Sequence, residues 1–220
     1  MKKPSVLSIA SILVAGSLLM TSCMQRDQYQ PDPMNNNHYT NTTTSFDEEF
    51  NGSDIYNWSF TDPTDSAYAG ISNGYYQFVD YSKTYYPESF VTTGINTQNN
   101  FTVKSSIKSS NMMALIFGAS STDNGYALYI DSMGYYSLYK EGIGSIASTV
   151  ILPSTQDTLY ASKKGWNTIE LDQVNGTWSG FINGTEIFQM SARTISGSGF
   201  GFKVVPGTTG YADYITVQNN

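Results

Sequence analysis

The sequence predicts an all-β fold, an antiparallel β-sandwich or jelly roll, and three observations predict it. Two Asn-Gly dipeptides, Asn175-Gly176 and Asn183-Gly184, divide residues 166–190 into three short strand-forming runs. Asn-Gly accepts positive φ at both central positions of a two-residue turn, so the segment reads as a three-strand antiparallel meander. Beyond it, short runs rich in Tyr, Phe, Ile, Val and Thr recur with turn residues between them. No amphipathic helix interrupts these runs, and without crossover helices the strands pair antiparallel.

The N-terminus reads as an export signal. Lys2 and Lys3 precede an apolar run over 6–20, which falls short of the ~20 residues a spanning helix needs. Leu19-Met20-Thr21-Ser22-Cys23 follows and resembles the lipobox of bacterial lipoproteins. The resemblance implies cleavage after Ser22 and lipidation of Cys23, which places the chain in the bacterial cell envelope. The expected site there is the outer membrane, on its periplasmic or surface side. Cys23 is the only cysteine, so no intramolecular disulfide forms despite the oxidising compartment. The net charge is −7, and loss of the two signal lysines makes the mature chain more acidic still. That balance excludes nucleic acid as a partner and leaves the lipid as the membrane contact.

Residues 23–45 are rich in Gln, Asn, Asp, Thr and Pro and carry little to bury, which predicts a flexible tether. His38, the only histidine, lies here, so the globular part has no histidine for catalysis or metal binding. Residues 46–220 form the predicted sandwich domain, long enough for a substantial core. Its strand candidates are 75–81, 101–108, 112–119, 126–131, 135–140 and 200–205. Turn signals at Asn73-Gly74, Asn99-Asn100, Asp123-Asn124-Gly125, Met133-Gly134 and Pro206-Gly207 separate them. In the first strand of the meander Ile169 and Leu171 share one face, and Thr168, Glu170 and Asp172 the other.

Three pieces, in order, resemble the concanavalin A-like lectin/glucanase superfamily. Phe46-Asp47-Glu48-Glu49-Phe50-Asn51-Gly52 with Trp58-Ser59-Phe60 is similar to the opening strand of family 16 glycoside hydrolases and laminin-G-like domains. The meander is similar to the laminin-G-like hairpin pattern. Gly201-Phe202-Lys203 with residues 211–217 is similar to the closing strand of those enzymes. The resemblance implies a concanavalin A-like jelly roll. Family 16 enzymes carry E-x-D-x-x-E on one strand face; here the three positions hold Glu170, Asp172 and Asn175. Asn175 cannot deliver a proton and sits in a turn, so that triad is incomplete. Asp80, Glu88, Asp131 and Glu141 remain as carboxylates able to pair across strands. No G-x-S-x-G elbow, H-E-x-x-H or P-loop occurs. The superfamily also implies a structural Ca²⁺ where first and last strands meet. Asp213 matches its closing-strand ligand, with Gly74 and Asp47 as the other candidate positions, and such oxygen ligands suit a hard cation.

Tyrosine is abundant, with 17 in the chain. At Tyr75-Tyr76, Tyr85-Tyr86 and Tyr135-Tyr136 strand alternation sends one ring inward and one outward. Tyr76, Tyr86 and Tyr136, with Trp178 beside Ser179 and Gly180, are the candidate sugar-binding rings; Trp58 and Trp166 are expected in the core. Flat amphipathic rings with a polar tip suit a polysaccharide. Asp65-Ser66-Ala67, Asp131-Ser132-Met133 and Asp157-Thr158-Leu159 resemble an O-glycosylation sequon of exported proteins. Three readings stay open: a non-catalytic carbohydrate-binding module, a diverged glycoside hydrolase, and a structural or adhesion component binding another protein.

Overall fold

The structure, a computed structural model, describes residues 44–64, 66–84, 86–121, 124–142, 147–156 and 165–220. The expected signal peptide and residues 23–43 of the expected tether, with Cys23 and His38, lie outside the described residues, as do Tyr85, Asp65 and Asp157. Ser45, expected in the tether, instead begins the first strand by pairing with Gln218. The described residues form fifteen strands and no helix. They are β1 (Ser45–Glu48), β2 (Phe60–Asp62), β3 (Ala67–Ser72), β4 (Tyr75–Asp80) and β5 (Glu88–Thr92). Then come β6 (Phe101–Ser109), β7 (Met112–Ser121), β8 (Asn124–Asp131), β9 (Tyr135–Lys140) and β10 (Thr149–Gln156). The last five are β11 (Asn167–Val174), β12 (Thr177–Ile182), β13 (Thr185–Ser191), β14 (Gly199–Val204) and β15 (Thr209–Asn219).

Two antiparallel sheets face each other. One has nine strands, in the order β13-β12-β11-β6-β15-β4-β3-β2, with β1 pairing β15 beyond the end of β4. The other has six, in the order β10-β9-β8-β7-β14-β5. The meander forms as the Asn-Gly turns require. Asn175 and Gly176 take φ of 50° and 75°, Asn183 and Gly184 take 50° and 80°, and Val174 pairs Thr177 across the first turn. Positive φ at both positions is the turn geometry whose twist matches that of the flanking strands.

The core lies between the sheets. At one end Phe50, Trp58, Tyr76 and Phe202 pack with ring centroids 5.3–6.1 Å apart. At the other, Trp178 meets Phe117 and Tyr126 edge-on at 5.2 and 4.8 Å. Outer and inner residues alternate along β6 and β11, as a sheet with one wet face demands. The six-stranded sheet departs from that logic. All six residues of β14 and most of β7 and β8 are buried. Ala114, Ile116, Ala119, Ala127 and Tyr129 make a second apolar cluster on its outer side, joined by the partly buried Phe90 and Tyr139. This explains why residues 112–119 read as a continuous apolar run rather than an alternating one.

Candidate functional site

The outer face of the nine-stranded sheet carries three exposed tyrosines, Tyr68, Tyr75 and Tyr81. Register sets one row: Gln77 on β4 pairs Tyr211 on β15, which pairs Lys108 on β6. Asn167 pairs Ile107, so Trp166, one residue before β11, continues the row beside Lys108. The Lys108 ammonium lies 4.6 Å from the Trp166 ring centre, 4.8 Å from Tyr211 and 5.9 Å from Tyr75. Tyr75 is 37% exposed, and its ring lies 5.3 Å from that of Trp166 at 30°. The Gln77 side-chain amide donates to the Tyr211 hydroxyl at 3.3 Å. Beyond this row Tyr68 and Tyr81, both exposed, lie 6.3 Å apart. Burial, and then its hydrogen bond to Tyr81, pushes the Tyr68 phenol up from its ordinary pKa. Lys104, two pleat repeats from Lys108 on β6, is already paired with Glu170 at 2.9 Å, which holds its pKa up.

A small pocket adjoins the patch at Lys108. It lies between the end of β6 and the β8–β9 turn, and Ser109, Asp131, Ser132 and Asn167 supply its polar lining. Asp131 is held in place because its carboxylate accepts from the Met133 and Tyr135 backbone amides, both at 2.8 Å. Ser132, of the one sequon whose three residues are all described, therefore sits in this turn.

Three of the rings expected to form a sugar platform are core residues instead. Tyr76 and Trp178 have no exposed surface and Tyr136 has 7%. Tyr76 donates to the Trp58 carbonyl at 3.2 Å, Tyr136 to the Ile187 carbonyl at 3.1 Å, and the Trp178 indole to the Gln173 side chain at 2.9 Å. Each buried polar tip is thus satisfied inside, as burial requires. Gly180 beside Trp178 marks packing, not exposure, because a Cβ there would fall 2.2 Å from the Phe188 ring. Tyr86 is exposed, at 49%. It lies on the other sheet's side, near Tyr129. Trp58 is core as expected, whereas Trp166 is half-exposed because it occupies an outward register position. Sequence reasoning missed Lys108, Trp166, Tyr75 and Tyr211 as a group.

The carboxylates left open by the sequence resolve differently. Glu88 and Glu141 converge on Lys203, which donates to one at 3.1 Å and to the other at 2.9 Å. Two oxygens touching one ammonium are at most about 6 Å apart, near the spacing of glycosidase carboxyl pairs, roughly 5–9.5 Å. All three side chains are only 4–5% exposed. Ser148 donates to Glu141 at 3.2 Å. Burial, and then the Glu141 charge, pushes the Tyr129 phenol far up, so it stays protonated beside the cluster. Glu170 and Asp172 face the outer side of the other sheet, paired with Lys104 and accepting from Thr102 at 2.6 Å.

Asp213 lies at the bulge between Ala212 and Tyr214, where β15 changes neighbour from β4 to β1. Gly74, with φ of 77°, is in the turn that feeds β4. Asp47 pairs Thr216, three residues further along β15. Among the described residues no three acidic, histidine or cysteine side chains converge. A cation here would rest on Asp213 and backbone carbonyls, a set that fits a hard ion.

Neither a protein-family model nor a curated protein matches the sequence. Solved structures match the fold. A native glycosidic hydrolase aligns over 80% of this chain and 96% of its own, with a TM-score of 0.51 and 12% identity. The fold is a concanavalin A-like jelly roll. A protein designated a glycosyl hydrolase from Parabacteroides distasonis aligns over 80% of this chain and 100% of its own, at 0.50 and 12%. A carbohydrate-binding module from Bacillus subtilis covers 81% and 98% respectively, at 0.48 and 16%.

Proposed function

We propose that this jelly roll is a non-catalytic, carbohydrate-binding domain on a lipid-anchored envelope protein, and that it binds through the Tyr75–Trp166–Tyr211 patch. The observation that carries the reading is the grouping of these rings around one cation, beside a pocket lined by hydroxyl, amide and carboxylate groups. Rings stack on the apolar faces of sugars, and the polar rim takes up their hydroxyls. The fold is one that a glycosidic hydrolase also uses. The anchor rests on Cys23 and its flanking sequence; membrane fractionation lost in Cys23→Ser is its test, and unchanged fractionation would remove it.

Purified protein should bind a polysaccharide from a panel saturably and without product release. Trp166→Ala or Tyr75→Ala should weaken that binding by at least about tenfold, the loss of roughly 1.4 kcal/mol or more expected for a central aromatic anchor. Both rings lie on the outer face, so the melting temperature should barely move. Undiminished binding in both variants, or no binding to any glycan, would reject the patch. The same panel run with calcium and with chelator tests the proposed ion at Asp213. A site filled at about 100 times its Kd adds about 2.7 kcal/mol, or roughly 5–11 °C. No calcium-dependent shift, or an equal shift in Asp213→Asn, removes that ion.

A second reading, a diverged hydrolase, is favoured by one observation, the Glu88–Glu141 spacing. A glycosidase pair needs one protonated carboxyl and access to substrate. The buried Lys203 ammonium touches both carboxylates and fills the space between them, where a substrate would have to enter, which supports the non-catalytic reading.

A further inference from the structure

Resting on the proposed glycan patch, we propose further that its ligand is an anionic polysaccharide, recognised by Lys108 through a carboxylate or sulfate on the sugar. Lys108 is the only cation among the described residues of this patch, and among the described residues no carboxylate lies within ion-pair distance of it. The other two lysines on outward positions of the two sheets' central strands are spoken for: Lys104 by Glu170, and Lys203 by Glu88 and Glu141. Lys108 instead rests against three rings, 4.6–5.9 Å from their centres.

Ring faces hold an ammonium without neutralising it, because the attraction comes from the ring quadrupole and leaves the net charge in place. Contact with three rings also restricts where the ammonium can sit. A fixed, unneutralised positive charge flanked by stacking surfaces matches a sugar ring that carries its own negative charge. A neutral sugar stacked on the same rings would leave the ammonium without a counter-charge. The chain as a whole is acidic, with net charge −7. Recognition of an acidic polymer must therefore be local, through this cation, and not through a basic surface.

The test measures binding of the purified protein to polygalacturonate, to the same polymer with its carboxylates methyl-esterified, and to chondroitin sulfate, at low and high salt. Lys108→Gln is compared with the parent, with Lys104→Gln as a control of equal charge change. The expected result is saturable binding to the carboxylated or the sulfated polymer, weakened by salt, at least tenfold weaker for Lys108→Gln and changed less than threefold for Lys104→Gln. Which polymer binds assigns carboxylate or sulfate. Binding to the esterified polymer as strong as to polygalacturonate, insensitive to salt and to Lys108→Gln, overturns the inference and leaves the aromatic patch standing. Equal losses in the two lysine variants overturn it too, since they would report general charge. Failure to bind any polymer, neutral ones included, removes the patch itself.

Discussion

Trp178→Ala should cost about 3–5 kcal/mol, the usual loss for a buried aromatic truncated in a core. That lowers the melting temperature by roughly 6–20 °C for a domain of this size. The side chain has no exposed surface, meets Phe117 and Tyr126 edge-on, and donates its indole N–H to Gln173. Removing it leaves a cavity between the sheets and strands the Gln173 oxygen, an unsatisfied acceptor in an apolar setting. Gln173 keeps its other role, donating to the Thr97 and Asn99 carbonyls at 2.9 Å, so the damage should stay local. Calorimetry checks the size. A loss below about 1 kcal/mol would mean that Trp178 faces solvent and returns as a ligand-binding ring.

Lys203→Met should be of similar size at neutral pH, about 3–5 kcal/mol, because it strands two buried carboxylates against each other. The pH dependence carries the diagnosis. Without the ammonium, burial and mutual repulsion raise the carboxyl pKa values in the folded variant. A folded-state pKa above its unfolded value gives stability that is present below the unfolded pKa, near 4.3 for Glu, and is lost as pH rises. The variant's deficit should therefore shrink on acidification toward pH 4–5. Combining it with Glu88→Gln and Glu141→Gln should restore much of the stability at pH 7. A Lys203→Met protein as stable as the parent at pH 7 would show that the cluster is solvated, and would revive Glu88 and Glu141 as a catalytic pair.

Much of the fold was legible because its signals are local. Asn-Gly at 175–176 and 183–184 dictates two-residue turns whatever surrounds them. The inward or outward sense of the rings was also legible, but only if register is carried across those turns. A two-residue loop at Asn73-Gly74 pairs Ile71 with Tyr76. An inward Ile71 then takes Tyr76 inward and leaves Tyr75 outside. The loop at Asn175-Gly176 pairs Gln173 with Trp178. Gln173 shares parity with Ile169 and Leu171, so Trp178 must be inside. Alternation alone has two phases, and a Tyr-Tyr pair fits both.

The candidate site was less legible for a different reason. Tyr75, Lys108, Trp166 and Tyr211 come from four separate segments, joined only by the strand order β11-β6-β15-β4. Glu88 and Glu141 lie 115 and 62 residues from Lys203 in the chain, and no spacing rule links them. Such groupings follow from sheet topology, which a single sequence does not encode locally.

The glycan patch is tested most directly by tryptophan fluorescence under acrylamide quenching, with and without polysaccharide. Of the three tryptophans, Trp58 and Trp178 are fully buried, and Trp166 is the one a quencher reaches. Bound glycan on this face should protect that quenchable fraction, and Trp166→Phe should abolish both the quenching and the protection. Saturable glycan binding that leaves Trp166 as quenchable as in the free protein would place the ligand elsewhere and contradict the account.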